Sequence, residues 1–337
     1  MFSLICAAVL FFVSIIAYLV YRFIQERELI DRLEDKAIVV TGCDTGFGRA
    51  MALKAATAGM TVFAGCLTDK GVSDMKSDAT GLPLIPMKLD VTSDESVQEA
   101  RKLVASKLGR KKLWALVNNA GIFSIYGPAD WCTIDEYQLS LNVNTLGPIR
   151  VTKAFVDLLK ESRGRIVNTS SVAGRVALPI MSPYNVAKFG VEAYSDVIRR
   201  ELKAFGVTVH IIEPGGFKAT SLLDHTAMEK RVEHVWKKMS EEKRKEYGEE
   251  YKNRMVREWN ESMERSGSSK IEYVVDNYYH AVTAVHPRKR YQCGWDAILF
   301  WYPVSFLPTP LQDALIENLY YAKDSNHPAS LKGKKIN

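Results

Sequence analysis

The sequence is poor in the residues that build metal centres and disulfide frameworks. Its 337 residues include only five cysteines, which are widely spaced and form no C-x-x-C pair. This usage is typical of reduced thiols rather than of a disulfide scaffold or a zinc site. The six histidines form no H-x-H or H-x-x-x-H cluster. We therefore expect no metal site.

The chain also lacks a concentrated charge of one sign. It has 45 Lys and Arg residues against 39 Asp and Glu residues, a net charge of +6 at pH 7, and the basic residues are scattered. Because nucleic-acid binding needs a basic stripe or patch, we expect no nucleic-acid partner. With 47% hydrophobic residues, the length suits one large or two modest globular domains.

Charged residues are absent from residues 2–20, FSLICAAVLFFVSIIAYLV. With residues 21–24 this run is long enough to cross a hydrocarbon core of about 30 Å. A cleaved signal peptide is the alternative, but the sequence has neither a basic segment before the run nor a small-x-small site after it. We predict one N-terminal transmembrane helix over residues 1–24, followed by a linker over residues 25–35.

The two ends of the chain predict the same topology. Lys and Arg flank the apolar run only on its C-terminal side, so the positive-inside tendency places the main body in the cytosol. The last four residues, Lys334-Lys335-Ile336-Asn337, resemble the dilysine retrieval signal of endoplasmic-reticulum membrane proteins. We therefore predict a single-pass protein of the endoplasmic-reticulum membrane with its main body in the cytosol.

Beyond residue 36, short apolar strands alternate with helical stretches. The predicted strands are residues 37–41, 61–66, 84–89, 113–118, 165–170 and 207–213. This alternation predicts βαβ units and therefore an α/β fold with a doubly wound parallel sheet, which we assign to a single domain over residues 36–290.

Two segments interrupt this pattern. Residues 220–270 are rich in Lys, Arg, Glu and Met and predict amphipathic helices, which form either a solvated insertion or a lid over the substrate site. Residues 291–337 form an apolar segment with a Lys-rich tail. Pro303, Pro308 and Pro310 argue against a second membrane span there, and favour an interfacial segment or a pocket wall.

A glycine-rich turn follows the first strand, with Gly42, Gly46 and Gly48 before an Ala- and Leu-rich helix. Since glycine has no Cβ, a pyrophosphate can approach the backbone N–H groups and the positive end of that helix. The turn predicts a dinucleotide site.

Tyr184 and Lys188 lie four residues apart at the start of a helix and share one face. A free tyrosine has a pKa of about 10, and a nearby cation favours the phenolate, so the pair can exchange a proton with an alcohol or carbonyl. The spacing is common on ordinary helices, so the surrounding residues decide whether the pair is functional.

Ser171 ends a strand at the edge where open α/β sheets bind ligands. Asn144 lies in a predicted helix, and asparagine is a mediocre helix former, which suggests a polar role.

Together these motifs resemble the short-chain dehydrogenase/reductase superfamily over roughly residues 35–220. They occur in its order: the glycine turn, Asn118-Asn119-Ala120-Gly121, Asn144, Ser171, Tyr184, Lys188 and Pro214-Gly215. Four segments, residues 41–48, 66–68, 89–92 and 212–215, resemble its membrane-bound retinol dehydrogenase and hydroxysteroid dehydrogenase branch.

The resemblance implies a Rossmann-like fold and a role for each matching residue. It implies that Tyr184 is the acid/base, that Lys188 lowers its pKa and holds the nicotinamide ribose, that Ser171 bonds the substrate oxygen and that Asn144 supports a proton relay. The implied cofactor contacts are Gly42, Asp44, Thr45, Gly46, Phe47, Gly48, Cys66, Asp90, Val91, Asn118, Ala120, Gly121, Tyr184, Lys188, Pro214, Gly215 and Gly216.

Two positions depart from the pattern of this branch. The second strand ends in Cys66, where NAD-specific members commonly have an acid, and no Arg is present there for a 2′-phosphate. We favour NAD over NADP. Ala219 stands where branch members usually have Thr, and Thr220 follows it.

The resemblance therefore implies a membrane-anchored oxidoreductase that moves a hydride between a nicotinamide cofactor and a lipophilic alcohol or carbonyl, with retinol/retinal as the first candidate. A 3- or 17-hydroxysteroid dehydrogenase or an epimerase is the alternative, and a non-catalytic nucleotide-binding membrane protein is a remote one. A homodimer through the helices around residues 135–159 and 181–205 is also implied.

Overall fold

A parallel sheet forms the centre of the computed structural model, which describes residues 2–218, 225–321 and 328–331. Its strands are β1 (Lys36–Thr41), β2 (Thr61–Cys66), β3 (Leu84–Lys88), β4 (Lys112–Asn118), β5 (Arg165–Thr169), β6 (Thr208–Pro214) and β7 (Arg290–Cys293). The strand order is β3-β2-β1-β4-β5-β6-β7, and every neighbouring pair is parallel. The predicted α/β fold is confirmed. The short strand β7 was not predicted, and it straddles the domain boundary expected at residues 290 and 291.

The helices connect the strands and extend beyond them. They are α1 (Phe2–Gln25), α2 (Gly46–Thr57), α3 (Asp69–Asp78), α4 (Asp94–Lys107), α5 (Ile134–Leu141), α6 (Gly147–Ser162), α7 (Ser182–Glu201), α8 (His225–Lys238), α9 (Glu241–Tyr247), α10 (Glu249–Ser266), α11 (Glu272–Thr283), α12 (Tyr302–Val304) and α13 (Thr309–Tyr321).

The alternating side chains of each buried strand build a core on both faces of the sheet. On β1, Ile38 and Val40 pack with α2 and α11, whereas Ala37 and Val39 pack with α4 and α6. A strand buried on both sides needs a continuous apolar run, which explains the sequence AIVV at this point. The strand order reverses direction between β1 and β4, and the carboxyl edge beside this reversal is where doubly wound sheets open a ligand crevice.

The predicted anchor is helical in the structure, as α1, but most of its side chains before Val20 lie outside the described residues. Among the residues that the structure describes, no helix combines the length and the apolar character that a membrane crossing needs. The chain just after α1 is fixed to the domain, because Ile30 N donates to Thr283 O at 2.7 Å and Arg288 pairs with Glu26 at 2.6 Å. The Lys-rich end at residues 334–337, Ala219 and Thr220 lie outside the described residues.

Candidate active site

The glycine turn between β1 and α2 is held by the end of β4. A Cβ on Gly42, whose φ is +72°, would lie 2.7 Å from the Cα of Ala120, and a Cβ on Gly48 would lie 2.3 Å from the carbonyl oxygen of Gly42. The side-chain amide of Asn119 donates to the carbonyl oxygens of Thr41 and Gly42 at 3.0 and 3.1 Å. Glycine at these two positions lets the backbone of the turn pack this closely beside the start of α2, and a helix start of this kind suits a pyrophosphate. These residues fit a dinucleotide.

The other predicted residues of the turn surround this helix start. Thr45 is the residue before α2 and Gly46 opens it with a φ of +62°. The ring of Phe47 packs edge-on against Phe217 at 5.5 Å, which ties α2 to the loop after β6.

Asp44 reaches from the turn to the end of β2. Its carboxylate accepts hydrogen bonds from the backbone N–H of Leu67 at 2.7 Å and of Thr68 at 2.9 Å, and from the Thr68 hydroxyl at 2.6 Å. Cys66 is buried beside it, and burial raises the pKa of this thiol to about 12. The strand end that lacks an acid in the sequence therefore carries a carboxylate in the fold.

Asp90 and Val91 shape the loop after β3. The Asp90 carboxylate accepts from the N–H and the hydroxyl of Thr92 at 2.8 and 2.7 Å, which closes a short side-chain turn. Val91 packs so closely on Gly147 that a Cβ there would lie 2.9 Å from Val91 Cγ2. Both residues therefore lie at the carboxyl edge of the sheet.

Asn118 and its neighbour Asn119 have different surroundings. The side chain of Asn118 is buried behind the cleft, where its Nδ2 donates to Asn168 Oδ1 at 2.8 Å and to Thr152 Oγ1 at 3.1 Å. Asn119 lines the cleft and accepts at its Oδ1 from the hydroxyl of Tyr278 at 3.1 Å. Ala120 donates its N–H to the Thr41 hydroxyl at 3.0 Å.

Asn144 lies in a π-helical turn, Asn142–Leu146, between α5 and α6. Its Oδ1 accepts from the N–H of Ile122 at 2.9 Å, and its Nδ2 donates to the carbonyl oxygen of Ile122 at 2.9 Å and to Ser140 Oγ at 3.1 Å. A π-turn is rare and is frequently found at functional sites. The asparagine thus bridges the helix to the loop after β4, which is a polar role of the kind that the sequence suggested.

Ser171, Tyr184 and Lys188 meet at the carboxyl edge. Ser171 is the second residue after β5, and its Oγ accepts from Ala173 N at 3.2 Å and donates to Pro214 O at 3.3 Å. Lys188 Nζ donates to Thr169 O at 2.9 Å and lies 5.4 Å from the ring centre of Tyr184. The end of β5 supplies Ser171, and α7 supplies Tyr184 and Lys188, which lie one turn apart on one face of this helix.

A cleft of about 860 Å³ brings together nine of the nineteen predicted site residues, and the other ten are not part of its lining. The predicted residues that line it are Phe47, Gly121, Asn144, Ser171, Tyr184, Lys188, Pro214, Gly215 and Gly216. Asp296, which the sequence did not indicate, also lines it and accepts from Gly216 N at 2.8 Å.

Aromatic side chains form the wall of this cleft beside Tyr184. The ring of Phe123 packs on Tyr184 at 4.9 Å and stacks on Trp259 of α10 at 5.7 Å. Phe300 and Trp301 from the C-terminal segment line the same cleft. Both segments that interrupt the strand-helix pattern therefore contribute to this wall.

Comparison with known proteins fixes the family of this chain. The sequence model of the family described as short chain dehydrogenase matches residues 36–231. The chain belongs to the short-chain dehydrogenase family.

Its relatives among known proteins are similar over most of their length. The chain is 46% identical over 310 residues to the 3beta-hydroxysteroid dehydrogenase dhs-16 of Caenorhabditis elegans, covering 90% of this chain and 79% of that protein. It is 41% identical to 17-beta-hydroxysteroid dehydrogenase type 6 of Rattus norvegicus, over 89% of this chain and 93% of that protein. It is 42% identical to retinol dehydrogenase 7 of Rattus norvegicus, over 88% of this chain and 92% of that protein. The predicted branch is confirmed.

A solved structure agrees on the fold. A short-chain dehydrogenase from Streptomyces avermitilis superposes with a TM-score of 0.63 at 23% identity, over 89% of this chain and 98% of that one. This likeness supports the Rossmann-like fold. The family match and the curated relatives show that the chain is an oxidoreductase of a family that uses a nicotinamide cofactor.

Burial governs the charges in the site of this short-chain dehydrogenase. Burial raises the pKa of Tyr184 to about 12, and the hydrogen bond with Ser171 opposes that rise. Burial lowers the pKa of Lys188 to about 8, and the negative charge of Glu192 opposes that fall.

Replacing Ser171 by alanine tests this arrangement. We expect kcat/KM for alcohol oxidation to fall by about 10²-fold, because the variant loses a donor that faces the reacting oxygen. We also expect the acid limb of the pH–rate profile to move to higher pH, since a tyrosine with a higher pKa forms its phenolate at higher pH. Rates measured from pH 6 up to about 12 check both effects, because the Tyr184 pKa of about 12 places its limb at the alkaline end of this range.

Two variants control this experiment. Ser171→Thr keeps the hydroxyl and should keep the acid limb in place. Ser182→Ala removes a hydroxyl that bonds Tyr137 outside the main cleft, and should leave kcat/KM within about twofold. An unchanged acid limb in Ser171→Ala would contradict the role of this hydrogen bond.

Proposed function

We propose that this short-chain dehydrogenase interconverts an alcohol and a carbonyl on a lipophilic molecule, with NAD as the cofactor and retinol/retinal as the first substrate. The observation that carries the proposal is the single cleft in which Ser171 and Tyr184 face a wall built from Phe123, Trp259 and Trp301. A polar reacting end beside apolar walls suits a substrate with one alcohol on a large hydrocarbon body.

The proposed mechanism assigns the proton to Tyr184. When bound, the nicotinamide cofactor supplies the hydride chemistry. The phenolate of Tyr184 accepts the alcohol proton during oxidation, and the phenol returns it during reduction. With substrate bound, the Ser171 hydroxyl would turn its one hydrogen from Pro214 O to the same substrate oxygen. The Lys188 ammonium favours the phenolate and bonds the ribose, and Asn144 holds the loop at Ile122 and supports the proton relay.

The cofactor would lie along the carboxyl edge of the sheet. In this proposal the turn from Gly42 to Gly48 holds the pyrophosphate, the loop of Asp90 and Val91 lies beside the adenine, and residues 118–121 lie beside the adenosine. Pro214, Gly215 and Gly216 hold the nicotinamide side. Cys66 ends the strand beside the adenosine ribose.

Asp44 supports NAD over NADP. Its carboxylate lies at the end of β2 and already binds the N–H groups of Leu67 and Thr68, so the negative charge is fixed there. A 2′-phosphate at the adenosine ribose would meet this charge, whereas a 2′-hydroxyl can donate to it.

The names of the relatives support two substrate classes. Retinol dehydrogenase 7 supports a retinoid, and the two hydroxysteroid dehydrogenases support a 3- or 17-hydroxysteroid. The 46% identity to the 3beta-hydroxysteroid dehydrogenase supports a hydroxysteroid as the alternative to retinol. Apolar walls discriminate weakly between such substrates, because one methylene is worth only about 1–3 kcal/mol.

We further propose that the protein is anchored in the endoplasmic-reticulum membrane. The described apolar side chains of α1 support this, since Phe11, Ile16 and Ile24 are 64%, 60% and 63% exposed. Trp295 and Leu299 in the C-terminal segment are 67% and 69% exposed. Apolar surface of this extent marks an interaction site, and a bilayer is the partner that the uncharged run over residues 2–20 indicates.

A homodimer remains a prediction. The face of α7 that is turned away from the sheet exposes Val186, Phe189 and Val197, which supports the dimer expected through the helices around residues 135–159 and 181–205.

Turnover of a substrate panel tests the proposed function. Detergent-solubilised protein should form NADH with all-trans-retinol or with a 3- or 17-hydroxysteroid. Tyr184→Phe should reduce the rate by about 10²–10⁴-fold because it removes the acid/base. Absence of turnover with bound nucleotide would favour the non-catalytic reading, and a stereochemical change without net NADH would identify an epimerase.

Replacing Asp44 tests the cofactor preference. We expect Asp44→Asn to lower the ratio of kcat/KM for NAD to kcat/KM for NADP by at least about tenfold, because it removes a negative charge near the 2′ position. Asp69→Asn is the matched control, since the Asp69 carboxylate is 94% exposed and pairs with Lys88. An unchanged ratio in a folded Asp44→Asn variant would argue against NAD selection by this carboxylate.

Carbonate extraction of cell membranes tests the anchor. The full chain should stay in the membrane pellet, and a chain without residues 1–24 should be released, because the apolar run is the part long enough to span. The acceptor sequence Asn260-Glu261-Ser262 should stay unglycosylated in the full chain. A glycosidase-sensitive mass shift that is lost in Asn260→Gln would place the domain in the lumen.

A further inference from the structure

A buried cluster of charges lies between α7 and the strands β6 and β7, on the same face of α7 as Tyr184 and Lys188. Glu192 follows Lys188 by one turn of α7 and bonds Arg290 of β7. Arg290 also donates to Glu213 Oε1 of β6 at 2.7 Å and pairs with Asp196 at 3.1 Å. Glu192 is only 7% exposed and Glu213 only 1%.

Such a cluster is a costly way to hold a helix. Removing charges from water costs several kcal/mol per ion, so a buried ion pair is weak evidence for stability, and apolar residues of similar volume often serve as well. The rest of α7 already packs through Ala187, Val191 and Ile198. The cluster is therefore better explained by an electrostatic effect of its charges on a neighbouring residue.

Lys188 is that neighbour. The turn after Ser171 packs directly on this part of α7, because a Cβ on Gly174 would lie 2.9 Å from Lys188 O and 3.1 Å from Glu192 Cγ. Lys188 is 4% exposed, so water does not screen it from the carboxylate one turn away.

The other groups that face Lys188 are neutral. Tyr184 lies on the same helix, β5 contributes the Thr169 carbonyl, and the π-turn contributes the Asn144 amide. The charged groups around Glu192 come from the neighbouring elements. Arg290 lies on β7, Glu213 on β6 and Asp196 one turn further along α7. Arg175 lies 4.0 Å from Glu213. Among the described residues, Glu192 is thus the carboxylate next to the Lys188 ammonium.

We propose that Glu192, oriented by Arg290, is a positioning residue that keeps Lys188 in its ammonium form. This inference rests on the proposed role of Lys188 toward the cofactor ribose and Tyr184. Through Arg290, the strand β7 thereby acts on the chemistry without touching the substrate.

The electrostatics agree in sign. Burial lowers the pKa of Lys188 to about 8, and Glu192 opposes that fall. Burial and the nearby Glu213 carboxylate raise the pKa of Glu192 to about 7, and Arg290 opposes that rise. Removing the Glu192 charge should therefore bring the pKa of Lys188 below 8, so that the ammonium form is lost at lower pH.

The pH–rate profile of Glu192→Gln tests the proposal. We expect the alkaline limb of kcat/KM to move down by about one pH unit, with about a tenfold loss of activity at pH 8.5, because one pKa unit is a tenfold change in protonation. Glu192→Asp keeps the charge and should leave the limb within about half a unit.

Asp196→Asn is the matched control, since it removes a carboxylate that contacts the same Arg290 one turn further from Lys188. It should leave the alkaline limb in place even where it lowers the melting temperature. An alkaline limb that stays in place in folded Glu192→Gln, or that moves equally in Asp196→Asn, would overturn the proposal. If Glu192→Gln fails to fold, Glu192→Asp still decides: the proposal requires an unmoved limb in this variant.

Binding of NADH separates this inference from the proposed function. Fluorescence titration of NADH from pH 6.5 to 9.5 needs no alcohol substrate. If the wild-type protein turns over no alcohol, the proposed function fails. The role of Glu192 is still supported if Glu192→Gln loses its affinity for NADH at a lower pH than wild type and Asp196→Asn do. Equal pH dependence in all three proteins would overturn it.

Discussion

The site depends on the contact between the glycine turn after β1 and the backbone at the end of β4. The Thr41 hydroxyl accepts from the N–H groups of Asn119 and Ala120, and the Asn119 amide bonds back to the carbonyl of Gly42. A side chain at Gly42 would overlap Ala120. Because β1 and β4 are the strands between which the sheet reverses its order, this contact fixes the floor of the crevice, and the residues after β4, β5 and β6 then surround it.

Local sequence patterns were sufficient for the parts of the site that local geometry determines. The glycine turn, the strand end at Ser171 and the Tyr184–Lys188 spacing each lie within one element and its flanking turn, so the pattern itself predicts their placement. Tyr278 and Asp296 were missed because their partners, Asn119 and Gly216, are 159 and 80 residues away along the chain. Asp44 was placed in the glycine turn, but its hydrogen bonds to Leu67 and Thr68 at the end of β2 depend on how this turn packs against β2.

Burial, together with the neighbouring charges, sets the pKa values of the ionisable groups in the site. A buried tyrosine with a pKa of about 12 is a phenol at neutral pH, and a buried lysine with a pKa of about 8 is only partly an ammonium above it. Each group therefore responds to a single added contact, since 1.36 kcal/mol is one pKa unit. Residues just outside the cleft, such as Glu192, consequently matter more here than they would on a solvated surface.

The C-terminal segment joins the inside of the cleft to the outside of the domain. Phe300 and Trp301 line the cleft, while Leu299 and Phe306 a few residues away are exposed. The segment is helical here, as a π-helical turn over Ala297–Trp301 that continues into α12, so residues on opposite faces of it meet opposite environments. A lipophilic molecule at such a segment meets apolar surface on both sides, and the removal of its apolar surface from water would hold it beside Tyr184.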